Sequence, residues 1–199
     1  FDNDFKLFKY PGKLIEAINT KELPDVIGFS NFSWNSRLSL KLAHTIKEAK
    51  PNIVIVFGGL QYPDDKSEQI KFLRENKIID FYVYKEGELA FLNLINQFHV
   101  YKLDIEKVKK EKEIVGVHYI KPNGDAYISP PAQRIKRQSD HPSPYTTGVL
   151  DEFFDHQLMP VLTTNRGCPF TCTFCSEGSN YYNVVNKVDR SRVNEEIEY

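Results

Sequence analysis

Five apolar residues in a row, Ile53–Phe57 (IVIVF), are bounded by Pro51 on one side and Gly58-Gly59 on the other. A run that short and that uniformly apolar reads as a strand covered on both faces, the pattern of a parallel sheet held between helices. Asp25–Phe29 (DVIGF) and Phe81–Tyr84 (FYVY) read as two more strands. Between the first two, Leu38, Leu42, Ile46 and Ala49 recur at helical spacing, and Pro51 ends that helix. Glu68–Asn76 is expected to be helical with Ile70 and Leu73 inward, and Glu88–Phe98 carries Phe91, Ile95 and Phe98 on one stripe. Leu14–Ile18 is a further candidate helix. Strand and helix alternating in this way predict right-handed crossovers and an α/β fold: an open, doubly wound parallel sheet of Rossmann or flavodoxin type.

Beyond that layer the pattern changes. The charge run 104–113 (DIEKVKKEKE) reads as a solvated turn or helix end. Ile114–Ile120 and Ala126–Ser129 flank Pro122-Asn-Gly-Asp125, a turn signal that predicts a β-hairpin. Four prolines between 130 and 144 predict a linker, and the basic run Arg134-Ile-Lys-Arg137 within it reads as solvation. Pro160–Thr164 (PVLTT) is expected to be a strand. Val188–Tyr199 is expected to be a helix with Asp189 or Ser191 as N-cap and Val193 and Ile197 inward. The expected organisation is therefore an α/β layer over 1–103, a hairpin and linker over 104–158, and one βα unit over 159–199. A single βα unit cannot bury its own apolar surfaces, so the chain reads as a piece of a longer protein, without catalytic competence of its own.

The charge balance limits the function classes. Lys and Arg number 26 against 27 Asp and Glu, a formal net charge of -1, which excludes nucleic-acid binding driven by bulk charge. No apolar run approaches the roughly 18 residues of a membrane-spanning helix, and no secretory leader pattern is present. A cytoplasmic protein that meets no membrane is expected, acting on a small-molecule substrate or one the sequence does not identify.

All 3 cysteines, Cys168, Cys172 and Cys175, fall within one short loop sequence, Arg166-Gly-Cys-Pro-Phe-Thr-Cys-Thr-Phe-Cys-Ser. An odd number in one cluster makes a poor disulfide framework and suits a shared soft metal. A structural zinc site needs four ligands, for which His156 and His141 are the nearest candidates. The alternative to catalysis is therefore a zinc-binding or structural interaction module. Three thiolates alone leave a cubane cluster with one iron free of protein ligands, and that vacant corner is a binding position.

Cys168-x-x-x-Cys172-x-Phe174-Cys175 resembles the signature of the radical S-adenosylmethionine (radical SAM) enzymes. The resemblance implies a 4Fe–4S cluster on Cys168, Cys172 and Cys175, with S-adenosylmethionine on the fourth iron and Phe174 against its adenine. It implies reductive cleavage of the sulfonium to methionine and a 5′-deoxyadenosyl radical, fed by an electron donor such as flavodoxin or ferredoxin. It implies a full or partial (β/α) barrel, of which residues 159–199 hold the beginning.

Gly58-Gly-Leu-Gln-Tyr-Pro63 after the buried strand, and Tyr84-Lys-Glu-Gly-Glu88 after the next, resemble the cobalamin-binding domain that is often fused ahead of such barrels. So do Pro142-Ser-Pro-Tyr-x-x-Gly148 and the approach from Pro160 to Cys168. The chain is thus similar to the N-terminal part of a cobalamin-domain radical SAM protein, with methyl transfer or another radical reaction as its activity. The resemblance places cobalamin against Ser30, Asn31, Gly58, Gly59, Glu86, Gly87 and Glu88. Open α/β sheets bind ligands at these carboxyl ends of strands, and glycine permits close backbone approach. The Asp-x-His-x-x-Gly string that supplies a lower cobalt ligand is absent; His44 and His99 read as surface residues.

Overall fold

The first three expected strands form, and they are parallel. In the computed structural model, which describes residues 5–20 and 23–199, they are β1 (Val26–Ser30), β2 (Val54–Gly58) and β3 (Phe81–Val83). Val26 pairs with Val54, and Val56 with Phe81. Residues 1–4 and 21–22 of the expected 1–103 layer lie outside the described set. The chain divides into two compact units, Phe1–Gln133 and Arg134–Tyr199, and each is described by itself.

In the first unit, α1 (Pro11–Asn19), α2 (Ser36–Ala49) and α3 (Lys66–Glu75) cover one face of the sheet, and α4 (Glu88–Val100) and α5 (Ile105–Glu111) cover the other. The alternation along β2 supplies both cores. Ile53, Ile55 and Phe57 pack with Leu14, Ile18, Ala43, Ile46 and Leu73, while Val54 and Val56 pack with Ala90, Leu94, Phe98 and Val108. A strand buried on both faces has no polar face to show, which is why IVIVF carries no alternation. Each such side chain contributes about 1.5–3 kcal/mol by leaving water.

The sheet has five strands in the order β1-β2-β3-β4-β5, with β4 (Val117–Ile120) and β5 (Ala126–Tyr127). β4 runs antiparallel to β3 and pairs Val117 with Val83; β5 closes the predicted hairpin. The turn is the expected one: Gly124 takes φ +88°, and the Lys121 N–H donates to Asp125 O at 2.7 Å. The hairpin therefore extends the sheet that the strand–helix alternation began.

Several expectations need correction. The charge run is not a solvated turn. It contains α5, which starts where the Asp104 carboxylate accepts from Lys107 N at 3.0 Å and which buries Val108 completely. Glu106, Lys107, Lys110 and Glu111 line the exposed side, while Lys109 is largely buried and reaches Asp80 at 3.5 Å. The inner stripes are also rotated from those expected. α2 buries Ser39, Ala43 and Ile46 rather than Leu38, α3 buries Gln69 and Leu73, and α4 buries Ala90, Leu94 and Phe98 while Phe91 stays partly exposed. Small side chains at 39, 43 and 90 let the helices approach the sheet closely, so the larger residues beside them turn outward.

In the second unit, the expected strand over 160–164 does not form. Residues 160–164 are exposed, and the ladder is a two-residue ribbon, β6 (Asn165–Arg166) against β7 (Asn186–Lys187), antiparallel. An apolar strand needs a paired strand and a cover, and within this unit Pro160–Leu162 has only the Tyr145 hydroxyl, which donates to Val161 O at 2.7 Å. α6 (Arg190–Glu198) follows, but none of its residues is buried, and Ile197 is exposed rather than inward. Asp189 holds the N-cap position without a side-chain cap; its carboxylate instead meets Arg137 at 3.3 Å.

Candidate cofactor and metal sites

The carboxyl ends of the parallel strands are bound to one another through Asn31, which follows β1 and is fully buried. Its N–H donates to Gly58 O at 2.7 Å, and its carbonyl accepts from Gln61 N at 3.0 Å. Its Nδ2 donates to Gln61 O at 2.7 Å and to the Tyr82 hydroxyl at 3.1 Å. The Tyr82 hydroxyl donates in turn to Gly59 O at 2.9 Å. Gly59 takes φ +133°, and a Cβ there would collide with the Asn31 backbone, so only glycine fits. The Asn31 Oδ1 is buried without a hydrogen-bond partner among the described residues. A buried acceptor left open at the end of a sheet is a place for a donor from a ligand.

Ser30, Asn31, Gly58 and Gly59 therefore share one edge. The Lys85–Glu88 loop joins the same end: Gly58 and Gly87 both pack against Val83, and Lys85 pairs with Asp64, which also accepts from the Tyr84 hydroxyl at 2.8 Å. Lys85 takes φ +64°, a left-handed turn that sends Glu86 and Gly87 round to start α4, with Glu88 in its first turn. His44 and His99 are both exposed, as expected.

Four more residues stand at this edge: Trp34 and Tyr62 fall in the strand-end segments where a ligand is expected, and Tyr82 and His118 carry no such sign in the sequence. Tyr62 stacks on Tyr82 with centroids 3.8 Å apart. The His118 Nε2 lies 2.9 Å from Ser129 O and is the donor there, which leaves Nδ1 to accept from the Tyr62 hydroxyl at 3.1 Å. Burial raises both tyrosines well above the usual phenol range and pushes His118 down to about 4, so the network is neutral at pH 7. Trp34, the chain's single tryptophan, is 80% exposed and lies flat on Phe32 at 4.8 Å. Its one sequence signal is an isolated tryptophan in a strand-end loop.

The second site is the cysteine loop. Gly167 leaves β6 at φ +105°, and a Cβ there would overlap the Val184 carbonyl. Cys168 follows half-buried, its N–H donating to Tyr182 O at 2.9 Å. Cys172 and Cys175 are exposed, and the Cys175 N–H donates to Cys172 O at 3.2 Å across a turn that Gly178 closes onto Cys175 O at 3.0 Å. Phe174 is 92% exposed, so nothing in this unit covers its ring. All three thiols are free of disulfides.

Among the described residues no three His, Cys, Asp or Glu side chains gather around a single point where one ion would sit. His141 and His156 are thus not assembled with the cysteines into a tetrahedral zinc set. The three thiols lie on one loop, Cys168 half-buried and Cys172 and Cys175 exposed, and their chemistry is that of a donor set for a soft metal or an iron–sulfur cluster.

No family model matches the chain. The chain is 33% identical over 185 residues to the 2-(S-pantetheinyl)-carbapenam-3-carboxylate methyltransferase of Streptantibioticus cattleyicolor, covering 88% of this chain and 25% of that protein. It is 31% identical over 182 residues to the cobalamin-dependent radical SAM methyltransferase TokK of Streptomyces tokunonensis, with the same coverage. Among solved structures, the cobalamin-dependent S-adenosylmethionine radical enzyme OxsB, with aqua-cobalamin and S-adenosylmethionine bound, superposes with a TM-score of 0.61. That likeness covers 94% of this chain and 24% of that one, at 18% identity, and is a likeness of fold. The chain spans about a quarter of the length of the curated relatives it matches. By sequence it is homologous to a stretch of the cobalamin-dependent radical S-adenosylmethionine proteins.

Proposed function

We propose that this chain carries the cobalamin-binding layer and the cluster-binding loop of a radical SAM methyltransferase. The observation that supports this reading most strongly is Cys168-x-x-x-Cys172-x-Phe174-Cys175, set on one loop in a chain homologous to that family. In this reading Cys168, Cys172 and Cys175 hold a 4Fe–4S cluster, and Phe174 lies against S-adenosylmethionine. Cobalamin meets the strand ends at Ser30, Asn31, Gly58 and Gly59 and the Glu86–Glu88 loop. When bound, the cluster supplies the electron that cleaves S-adenosylmethionine, and cobalamin carries the methyl group. An electron carrier such as flavodoxin or ferredoxin is the partner this chemistry requires.

The chain's own residues do three things for these groups. Asn31 and Gly59 fix the strand-end loops so that little ordering is left to be done on binding. Asn31 Oδ1 offers an acceptor to a ligand amide. The buried Tyr62–Tyr82–His118 network stays neutral, so these side chains would bring no buried charge to the end of the sheet where cobalamin would be held.

Two measurements on the anaerobically purified chain test the reading. Hydroxocobalamin is expected to quench the fluorescence of Trp34, which stands at the proposed edge, in a saturable titration. Metal analysis after reconstitution with iron and sulfide is expected to find iron in excess of zinc. A linear, unsaturable titration would remove the cobalamin half of the proposal. One tightly held zinc per chain and no iron would favour a structural zinc module instead.

A further inference from the structure

Arg134 opens the basic run that reads from sequence as solvation, yet its guanidinium is occupied. Nη1 donates to Tyr181 O at 3.1 Å and to Val184 O at 2.7 Å, and Nη2 donates to Arg166 O at 3.2 Å. The guanidinium carbon also lies 5.5 Å from the centre of the Tyr181 ring and 5.9 Å from that of Tyr182. The three carbonyls belong to the two strands of backbone that flank the cysteine loop. Arg166 ends β6 one residue before Gly167, and 181–184 lead into β7. The ladder between those strands has only two residue pairs, Asn165 with Lys187 and Arg166 with Asn186, too few to hold a loop by themselves.

Next to this bridge, Cys168 takes its position. A Cβ on Gly167 would meet the Val184 carbonyl that Arg134 holds, the Tyr182 carbonyl one residue beyond the bridged Tyr181, and Arg134 Nη2 itself, and the Cys168 N–H donates to Tyr182 O. One planar, always-charged fork is suited to gathering three carbonyls in this way; a lysine ammonium is a point charge that cannot span them. The neighbouring Arg137, 71% exposed, pairs with Asp140 and Asp189 and touches none of these carbonyls.

We propose that Arg134 is the positioning residue of the cysteine loop: by bridging the carbonyls of Arg166, Tyr181 and Val184, it sets where the Cys168 thiol stands. This rests on the cluster reading above, because it is for a cluster that the thiol must be held. Arg134 touches no cluster atom in this account and acts through the backbone on either side of Cys168.

The test is site-resolved alkylation of the metal-free, reduced chain with iodoacetamide, followed by mass spectrometry, in wild type, Arg134→Lys and Arg137→Gln. In wild type, Cys168 is expected to react more slowly than Cys172 and Cys175. In Arg134→Lys, Cys168 alone is expected to speed up by about tenfold, the factor that losing roughly one net hydrogen bond gives to a local opening. Arg137→Gln is expected to match wild type. After reconstitution with iron and sulfide, Arg134→Lys is expected to lose its iron to a chelator several-fold faster than wild type. Wild-type reactivity and iron retention in Arg134→Lys would overturn the proposal. So would an equal rise at all three thiols with loss of helical circular dichroism, since Arg134 would then hold the fold rather than the loop. A wild-type chain that takes up no iron overturns the cluster reading and the role with it. The thiol rates, measured without metal, tell that failure from a failure of the Arg134 bridge itself.

Discussion

The hydroxyl of Tyr82 joins Asn31 to Gly59, and its removal is the smallest change that loosens the proposed cobalamin edge. Tyr82→Phe keeps the stack on Tyr62 and deletes both hydrogen bonds. It is expected to cost about 1–2 kcal/mol of stability in urea unfolding. Hydroxocobalamin affinity is expected to fall by more than that alone would cause, because Gly59 and Asn31 lose their common partner. His118 gives a pH signature. Its folded pKa of about 4 lies below the ordinary 6.5, so the unfolded chain binds the extra proton first as pH falls. The contribution of His118 is full above pH 6.5 and is lost as pH drops toward 4, by roughly 3 kcal/mol in total. His118→Phe is expected to flatten unfolding free energy against pH in that window. An unchanged slope would show that carboxylates, not His118, set it.

At the scale of elements, the sheet was legible where burial left no choice. IVIVF, DVIGF and FYVY became the three parallel strands because a doubly covered strand can be little other than apolar. The Asn-Gly turn was legible because Gly124 alone supplies its positive φ. The helix stripes were legible as helices but not in rotation, since Ser39, Ala43 and Ala90 pack inward by being small, which a hydrophobicity pattern does not reward. α5 was hidden because one valine, Val108, carries its whole buried face among charges. Val108→Ala is expected to destabilise the chain by about 2 kcal/mol in urea unfolding, whereas a truly solvated run would show no change. PVLTT misled for the opposite reason: its residues suit a strand, but a strand is a continuous pairing, and this unit bonds it only at Thr164 O, from Val188 N, and at Val161 O, from the Tyr145 hydroxyl. The glycines of the site follow the same logic. Gly167→Ala forces a Cβ onto the Val184 carbonyl and is expected to reduce iron uptake while leaving the urea midpoint of the Phe1–Gln133 unit unchanged.

For the molecule as a whole, chemistry was easier to read than placement. Cys168, Cys172 and Cys175 carry the proposed role in their spacing, because soft-metal chemistry needs thiolates close in sequence when one loop supplies them all. Arg134 and Tyr82 act through backbone carbonyls and a buried hydroxyl, contacts that no residue type or interval marks in a sequence, whereas Asn31 was already expected at the strand end. No helix among the described residues is long and apolar enough to cross a membrane. The homologous stretch spans a quarter of its relatives.

The central claim is that three thiolates on one turn grip a cubane by three of its irons. The most direct measurement is the Mössbauer spectrum of the chain reconstituted anaerobically with iron-57 and sulfide. The account predicts quadrupole doublets of a diamagnetic 4Fe–4S cluster at about four irons per chain, lost in Cys172→Ala. A spectrum of mononuclear or unbound iron, or a full cluster surviving in Cys172→Ala, would contradict it.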